Sequence, residues 1–183
     1  MKKNNTLWLL LLALCSLFAS CKKEPVDELS KLPPATQTGA NTFGCLLNGK
    51  AWVAHTDCKY LCDPAFKIYY DNFQGGYLAL SAKFQNSKEN LDQEIDIVFD
   101  STNYKNQFFF VKNSNHLNIR LLNYNGVTYN TVIDSTVNGN CQVQVSRYDL
   151  QSGIISGTFE FSLTKPSCVP ISVTNGRFDY KLF

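Results

Sequence analysis

Apolar and polar residues alternate one by one along much of the chain after residue 42. The clearest run is residues 154–163, in which Phe159 and Phe161 flank the polar Glu160. Successive side chains of a β-strand point to opposite faces of its sheet, so a period of two predicts a strand with one face on a core. Shorter runs with the same period lie at residues 77–84, 95–99, 141–145 and 178–182.

Turn sequences separate these runs. Asn48 and Gly49 lie between apolar runs at residues 43–47 and 50–54, and Asn-Gly suits the two positive φ angles of a type I′ turn. No stretch of helical length shows a period near 3.6, so we expect an all-β domain at residues 43–183. The predicted architecture is a single antiparallel β-sandwich, with a lipocalin-like β-barrel as the alternative.

The first twenty residues have the layout of a secretory signal peptide. Lys2 and Lys3 precede an apolar run at residues 7–14, which is too short to cross a bilayer as a stable helix. Small residues then lead into Cys21, so residues 1–20 are predicted to be a leader that is removed on export.

The end of this leader, LFASC at residues 17–21, resembles a bacterial lipobox, with Phe18 where such boxes usually carry Leu. The resemblance implies that Cys21 becomes the first residue and is acylated, which would make the membrane its partner. The alternative is an ordinary cleaved signal with an incidental Cys. Residues 22–42 contain Pro25 and a Pro33-Pro34 pair without a hydrophobic period, so residues 21–42 are predicted to be a lipidated Cys and a flexible tether.

Three segments of the chain resemble a family of uncharacterised Bacteroidota lipoproteins. They are LPPATQTGANTFGCLLNGKAW at residues 32–52, ISGTFEF at residues 155–161 and TNGRFD at residues 174–179. The resemblance implies a lipid-anchored β domain in the cell envelope, on the periplasmic or surface face of the outer membrane. It implies no activity, cofactor or catalytic residue.

The net charge of the mature chain argues against nucleic-acid binding. Two of the 17 Lys and Arg residues lie in the leader, which leaves 15 basic residues against 15 acidic ones in the mature chain. A neutral chain lacks the positive field that non-specific nucleic-acid binding requires. No phosphate-binding loop, nucleophile elbow or zinc-protease motif is found, so we expect no cofactor.

Cysteines are predicted to form disulfides, because these bonds persist outside the cytosol. Five Cys remain when Cys15 leaves with the leader and Cys21 takes lipid. We expect bridges Cys58–Cys62 and Cys141–Cys168, with Cys45 as a buried free thiol that behaves as a small hydrophobe. A zinc site formed by His55, Cys58 and Cys62 is a weaker alternative, because no second ligand pair completes it.

The expected function is a non-catalytic binding or accessory module for an envelope protein or a small molecule. A predicted loop at residues 56–76 is the candidate binding region, because rigid β scaffolds display loops and this one is rich in aromatic residues. One alternative is an envelope hydrolase with carboxylates such as Asp96 and Asp100 in a cleft near His55. Another is a barrel that encloses an apolar ligand. The aromatic candidates for ligand binding are Phe66, Tyr69, Tyr70, Phe73 and Tyr77.

Overall fold

The structure, a computed structural model, describes residues 27–58, 60–71, 77–100, 109–112 and 117–183. In these ranges the chain forms eleven strands and one short 3₁₀ helix, Glu28–Lys31. The strands are β1 (Thr42–Leu47), β2 (Lys50–Val53), β3 (Phe66–Asp71), β4 (Tyr77–Asn86), β5 (Leu91–Asp100), β6 (Phe109–Lys112), β7 (Leu117–Tyr124), β8 (Val127–Asn130), β9 (Asn138–Asp149), β10 (Ile154–Thr164) and β11 (Ile171–Lys181).

Two antiparallel sheets pack face to face. One has six strands in the order β2-β1-β11-β10-β9-β6, and the other has five in the order β3-β4-β5-β7-β8. The sheets do not close into one continuous ladder, so the predicted sandwich is confirmed and the lipocalin-like barrel is wrong. The buried side chains of both sheets form one filled apolar core.

The predicted hairpin at the start of the domain is present. Leu47 pairs with Lys50, and the two residues between them, Asn48 and Gly49, have φ angles of 49° and 77°. Two positive φ angles match the type I′ turn that the Asn-Gly pair favours.

Phe43 joins the two layers at the centre of the core. Phe43 is only 1% exposed. The centroid of its ring lies 5.9 Å from that of Trp52 and 4.7 Å from that of Phe159, both in its own sheet. It also lies 5.1 Å from Phe66 of the facing sheet. The aromatic residues at alternate positions of β1, β2, β3 and β10 therefore meet as one cluster between the sheets.

Two glycines make space for this cluster. Gly157 pairs with Phe178, and Gly176 pairs with Phe159 on the neighbouring strand. A Cβ atom at Gly157 would lie 2.7 Å from the Phe178 ring, and one at Gly176 would lie 2.6 Å from the Phe159 ring. Each ring therefore lies across the strand over a position without a side chain.

The N-terminal segment corrects the predicted domain boundary. Residues 27–41, here called the N-terminal strap, are packed on the outer face of the six-stranded sheet instead of forming a flexible tether. The strap is held by Asp179, which alternates onto this outer face but is only 1% exposed. The Asp179 carboxylate accepts hydrogen bonds from Thr36 Oγ1 (2.6 Å) and from the backbone N–H groups of Thr38 (2.9 Å), Gly39 (2.8 Å) and Ala40 (3.2 Å).

Further contacts fix the strap at its other end. Glu28 accepts a hydrogen bond of 2.9 Å from the backbone N–H of Ala51 in β2, and Arg177 donates one of 3.2 Å to the carbonyl of Pro33. Ser156 lies on the same face of β10 as the polar Thr158 and Glu160, and it is nevertheless fully buried. The strap is therefore part of the folded domain, while Cys21 and residues 22–26 lie outside the described residues.

Candidate functional site

An open groove crosses the outer face of the five-stranded sheet. It is about 500 Å³ in volume and combines exposed aromatic, aliphatic and polar side chains. Strand pairing places Tyr69 beside Ala79, Ala79 beside Val98 and Val98 beside Asn118 in one row across the sheet. The next row carries Ser81, Asp96, Arg120 and Asn130.

The groove has a low floor because its central outward-facing residues on β4, Ala79 and Ser81, are small. Tyr69 and Tyr77 lie at one end of it, and both are exposed. The backbone alternation of β3 and β4 turns these two rings outward. Tyr69 and Tyr77 therefore present ring surface next to a shallow floor.

The turn after β8 forms the opposite end of the groove. The side chain of Asn130 accepts hydrogen bonds from the backbone N–H groups of Val132 (2.9 Å) and Ile133 (3.2 Å). An ion pair of 3.0 Å between Asp134 and Lys165 holds the far side of the same turn. Ile133 is nevertheless 81% exposed, so this turn holds an aliphatic side chain out in solvent.

Charged residues lie between these two ends. Arg120 donates through Nε (2.7 Å) and Nη2 (2.6 Å) to Oδ2 of Asp96, and its Nη2 lies 3.5 Å from Oε1 of Glu94. Burial, and then the neighbouring charge of Asp96, raise the pKa of Glu94 above its ordinary value. Asp96 and Arg120 thus compensate each other, while Glu94 is a carboxylate whose charged form is disfavoured.

The raised pKa of Glu94 predicts a stability effect with a definite pH dependence. Folding binds protons when the folded pKa lies above the unfolded one, so the charge of Glu94 opposes folding as the pH rises through the folded pKa. We expect Glu94→Gln to raise the free energy of unfolding slightly at pH 7, by less than about 1 kcal/mol. The gain should shrink as the pH falls toward the ordinary Glu pKa and vanish at about pH 3, where Glu94 is protonated in both states. Urea unfolding at the two pH values measures this, and a gain that grows toward acid would contradict it.

The aromatic candidates divide between the core and the groove. Residues 66–71 form strand β3, so the predicted loop at 56–76 is wrong for this part of the chain. Phe66 is buried against Phe43, and Tyr70 points inward, 5.6 Å from the Tyr148 ring. Tyr69 and Tyr77 line the groove, whereas Phe73 lies outside the described residues.

Two of the groups proposed for a hydrolase, Asp96 and His55, do not line the same pocket. Asp96 lies in the groove, but the ring of His55 lies 6.3 Å from that of Phe84, next to the end of β4. The side chain of Asp100 lies outside the described residues. The carboxylate that does accompany Asp96 is Glu94, which the alternation of Gln93, Glu94 and Ile95 could have identified as outward-facing.

The cysteines follow the prediction in part. Cys58 and Cys62 form a disulfide with Cα atoms 6.0 Å apart, and Cys45 is a fully buried thiol, as expected. Because Cys58 and Cys62 are bonded to each other, neither offers a thiolate for the alternative zinc site with His55.

The predicted bridge Cys141–Cys168 is wrong, because both residues carry thiols. Cys141, in β9, pairs with Phe161 of β10. It lies three residues from the start of β9 at Asn138, which is about 10 Å along the strand. Cys168 lies in the turn between β10 and β11. The two residues therefore lie on different elements, and they are not bonded to each other.

Burial of these thiols predicts unequal reactivity. Burial raises the pKa of Cys45 and of Cys141 to about 12 each, about a thousandfold less thiolate at a given pH than an ordinary Cys. We expect iodoacetamide to label half-buried Cys168 in the native protein, and Cys45 and Cys141 only in urea. Peptide mass spectrometry without reductant measures each site. If neither Cys141 nor Cys168 is labelled in urea until a reductant is added, the two residues form the bridge after all.

Comparisons of this chain with protein-family models, with curated proteins and with solved structures give no match. In the described part of the chain, no helix has both the length and the apolar character needed to cross a membrane.

Proposed function

We propose that this protein is a lipid-anchored lipoprotein of the cell envelope whose β-sandwich is a non-catalytic binding module. The leader and the lipobox-like end at Cys21 support the anchor, as does the resemblance to Bacteroidota lipoproteins. The open groove of the five-stranded sheet is the observation that carries the binding role, because it exposes aromatic and aliphatic side chains beside polar groups.

The N-terminal strap also fits an anchored domain. Because Glu28 is hydrogen-bonded to Ala51 of the sandwich, the chain from Cys21 to Glu28 can span at most about 25 Å. A lipid on Cys21 would therefore hold the domain close to the membrane. The strap covers the six-stranded sheet, whereas the groove lies on the outer face of the other sheet and stays open to a ligand.

Substitution of the anchoring residue tests this proposal. Cys21→Ser should move the protein from the detergent-extractable membrane fraction to the soluble fraction of the producing bacterium. Cys15→Ser is the matched control, because it changes a leader Cys that is not the predicted acylation site. Labelled palmitate should be incorporated into the wild type and into Cys15→Ser, but not into Cys21→Ser. A Cys21→Ser protein that stays membrane-bound and labelled would refute the anchor.

The second candidate function is glycoside hydrolysis, which the raised pKa of Glu94 beside Asp96 favours. An inverting hydrolase needs space for a water molecule between its two carboxylates. Here one nitrogen of Arg120 lies 2.6 Å from Asp96 and 3.5 Å from Glu94, so the guanidinium occupies that space. This arrangement suits ligand binding better than catalysis.

A further inference from the structure

We propose that the groove binds a neutral oligosaccharide, an inference that rests on the proposed role as a binding module. Its chemistry combines ring faces with side chains that both donate and accept hydrogen bonds. A sugar ring has an apolar face of C–H groups and a rim of hydroxyls, and each hydroxyl is both donor and acceptor. The two sets of groups are complementary.

The tyrosines supply the apolar part of this recognition. Tyr69 is 52% exposed although it lies within a strand, and Tyr77 opens the neighbouring strand at the same end of the groove. The small side chains of Ala79 and Ser81 leave the floor beside these rings low enough for a flat ligand. A tyrosine ring provides a large, rigid contact area at small cost in side-chain entropy.

Polar residues along the groove match the rim of a sugar. Asn118 offers a carbonyl oxygen and an amide nitrogen. Asn130 offers its amide nitrogen, because its oxygen already accepts two backbone hydrogen bonds, and Ser81 offers the lone pairs of a hydroxyl that donates to Oε1 of Glu94 at 3.3 Å. A hydrocarbon ligand would cover these groups without pairing them, which would oppose its binding. Hydroxyl groups can pair with all of them.

The charges of the groove favour an uncharged ligand. Asp96 and Arg120 are already paired, with two nitrogens of Arg120 at 2.6 Å and 2.7 Å from the Asp96 carboxylate, and Glu94 lies 3.5 Å from the same guanidinium, so none of the three presents an unpaired charge to an ionic ligand. Separating this pair to bind a carboxylate or an ammonium group would leave the other partner uncompensated.

A peptide strand fits this surface less well. Peptides commonly bind sheets by pairing with an open edge. The groove lies across the face of the sheet, where the backbone groups of β4 and β5 are already paired with neighbouring strands. Recognition in the groove must therefore depend on side chains, as it does for sugars.

Calorimetric titration of the purified mature protein tests the inference. The probes are hexaoses of glucose, xylose, mannose and N-acetylglucosamine, with hexagalacturonate, chitosan hexaose and an extended hexapeptide as controls. We expect at least one neutral hexaose to bind and the control probes not to bind. Tyr69→Ala should weaken binding about tenfold or more, and Tyr69→Phe should keep it. The matched control is Tyr60→Ala, because Tyr60 is 86% exposed outside the groove and its loss should change nothing.

Each other outcome has a distinct meaning. If none of the neutral hexaoses binds at millimolar concentration, or Tyr69→Ala binds like the wild type while remaining folded, the sugar proposal is wrong. The lipid anchor is then unaffected, because it is tested separately by Cys21→Ser. Binding of only the charged sugars or the peptide would also overturn the sugar proposal but keep the binding role. Release of new reducing ends during the titration would instead contradict the non-catalytic function.

Discussion

Asp179→Ala is expected to lower the free energy of unfolding by about 3 kcal/mol. The buried carboxylate accepts five hydrogen bonds from the N-terminal strap, three of them from backbone N–H groups and two from threonine hydroxyls. Hydrogen bonds to a charged acceptor are stronger than neutral ones, and donors that lose a buried acceptor cost free energy. Because the strap can partly lift into water, the loss should stay below the full cost of five broken hydrogen bonds. Urea unfolding at neutral pH measures the difference.

The same carboxylate predicts how this difference depends on pH. Burial alone would raise the pKa of Asp179, but the hydrogen bonds from Thr36, Thr38, Gly39 and Ala40 outweigh it and lower the pKa below 3.8. A lowered folded pKa contributes stability that is present above the unfolded pKa and is lost as the pH falls through the folded one. The difference between wild type and Asp179→Ala should therefore persist from pH 7 to about pH 4 and shrink below it. Asp92→Asn, at an exposed carboxylate, is the control and should change little.

Phe43→Ala is expected to cost about 4 kcal/mol, because it removes a fully buried ring and leaves a cavity between the sheets. The ring contacts Trp52, Phe159 and, in the facing sheet, Phe66. Each of these aromatic contacts adds to the free energy of simple burial. Chemical denaturation measures the free energy of unfolding, and the loss should be the same whether it is monitored by fluorescence or by circular dichroism.

Phe183→Ala provides the matched comparison for this substitution. Phe183 is 76% exposed, so its removal should change the free energy of unfolding by no more than about 0.5 kcal/mol. Equal losses for the two variants would mean that Phe43 does not join the sheets as described.

The sequence predicted the class of fold because local patterns carry it. The alternation at residues 154–163 and the Asn48-Gly49 turn need no distant contacts to be interpreted, and both are found in the structure. Strand β3 was missed because Tyr69 puts an aromatic ring on the outer face, which hides the alternation of Phe66, Ile68 and Tyr70.

Features that depend on distant pairing could not be predicted. Thr36 and Asp179 are 143 residues apart, and nothing near the Pro33-Pro34 pair indicates that a buried acid holds this segment. The groove has the same origin, because Glu94, Asp96 and Arg120 meet only when β5 pairs with β7. The pairing of Cys141 with Cys168 was inferred from the number of Cys residues alone, and the structure has a thiol at each position.

Mass spectrometry of the N-terminal peptide from the native protein, extracted from membranes, shows whether the chain is lipid-anchored. We expect a mature chain that begins at Cys21, with a diacylglyceryl group on its sulfur. A chain that still begins at Met1, or one that starts at another residue and carries no lipid, would contradict it.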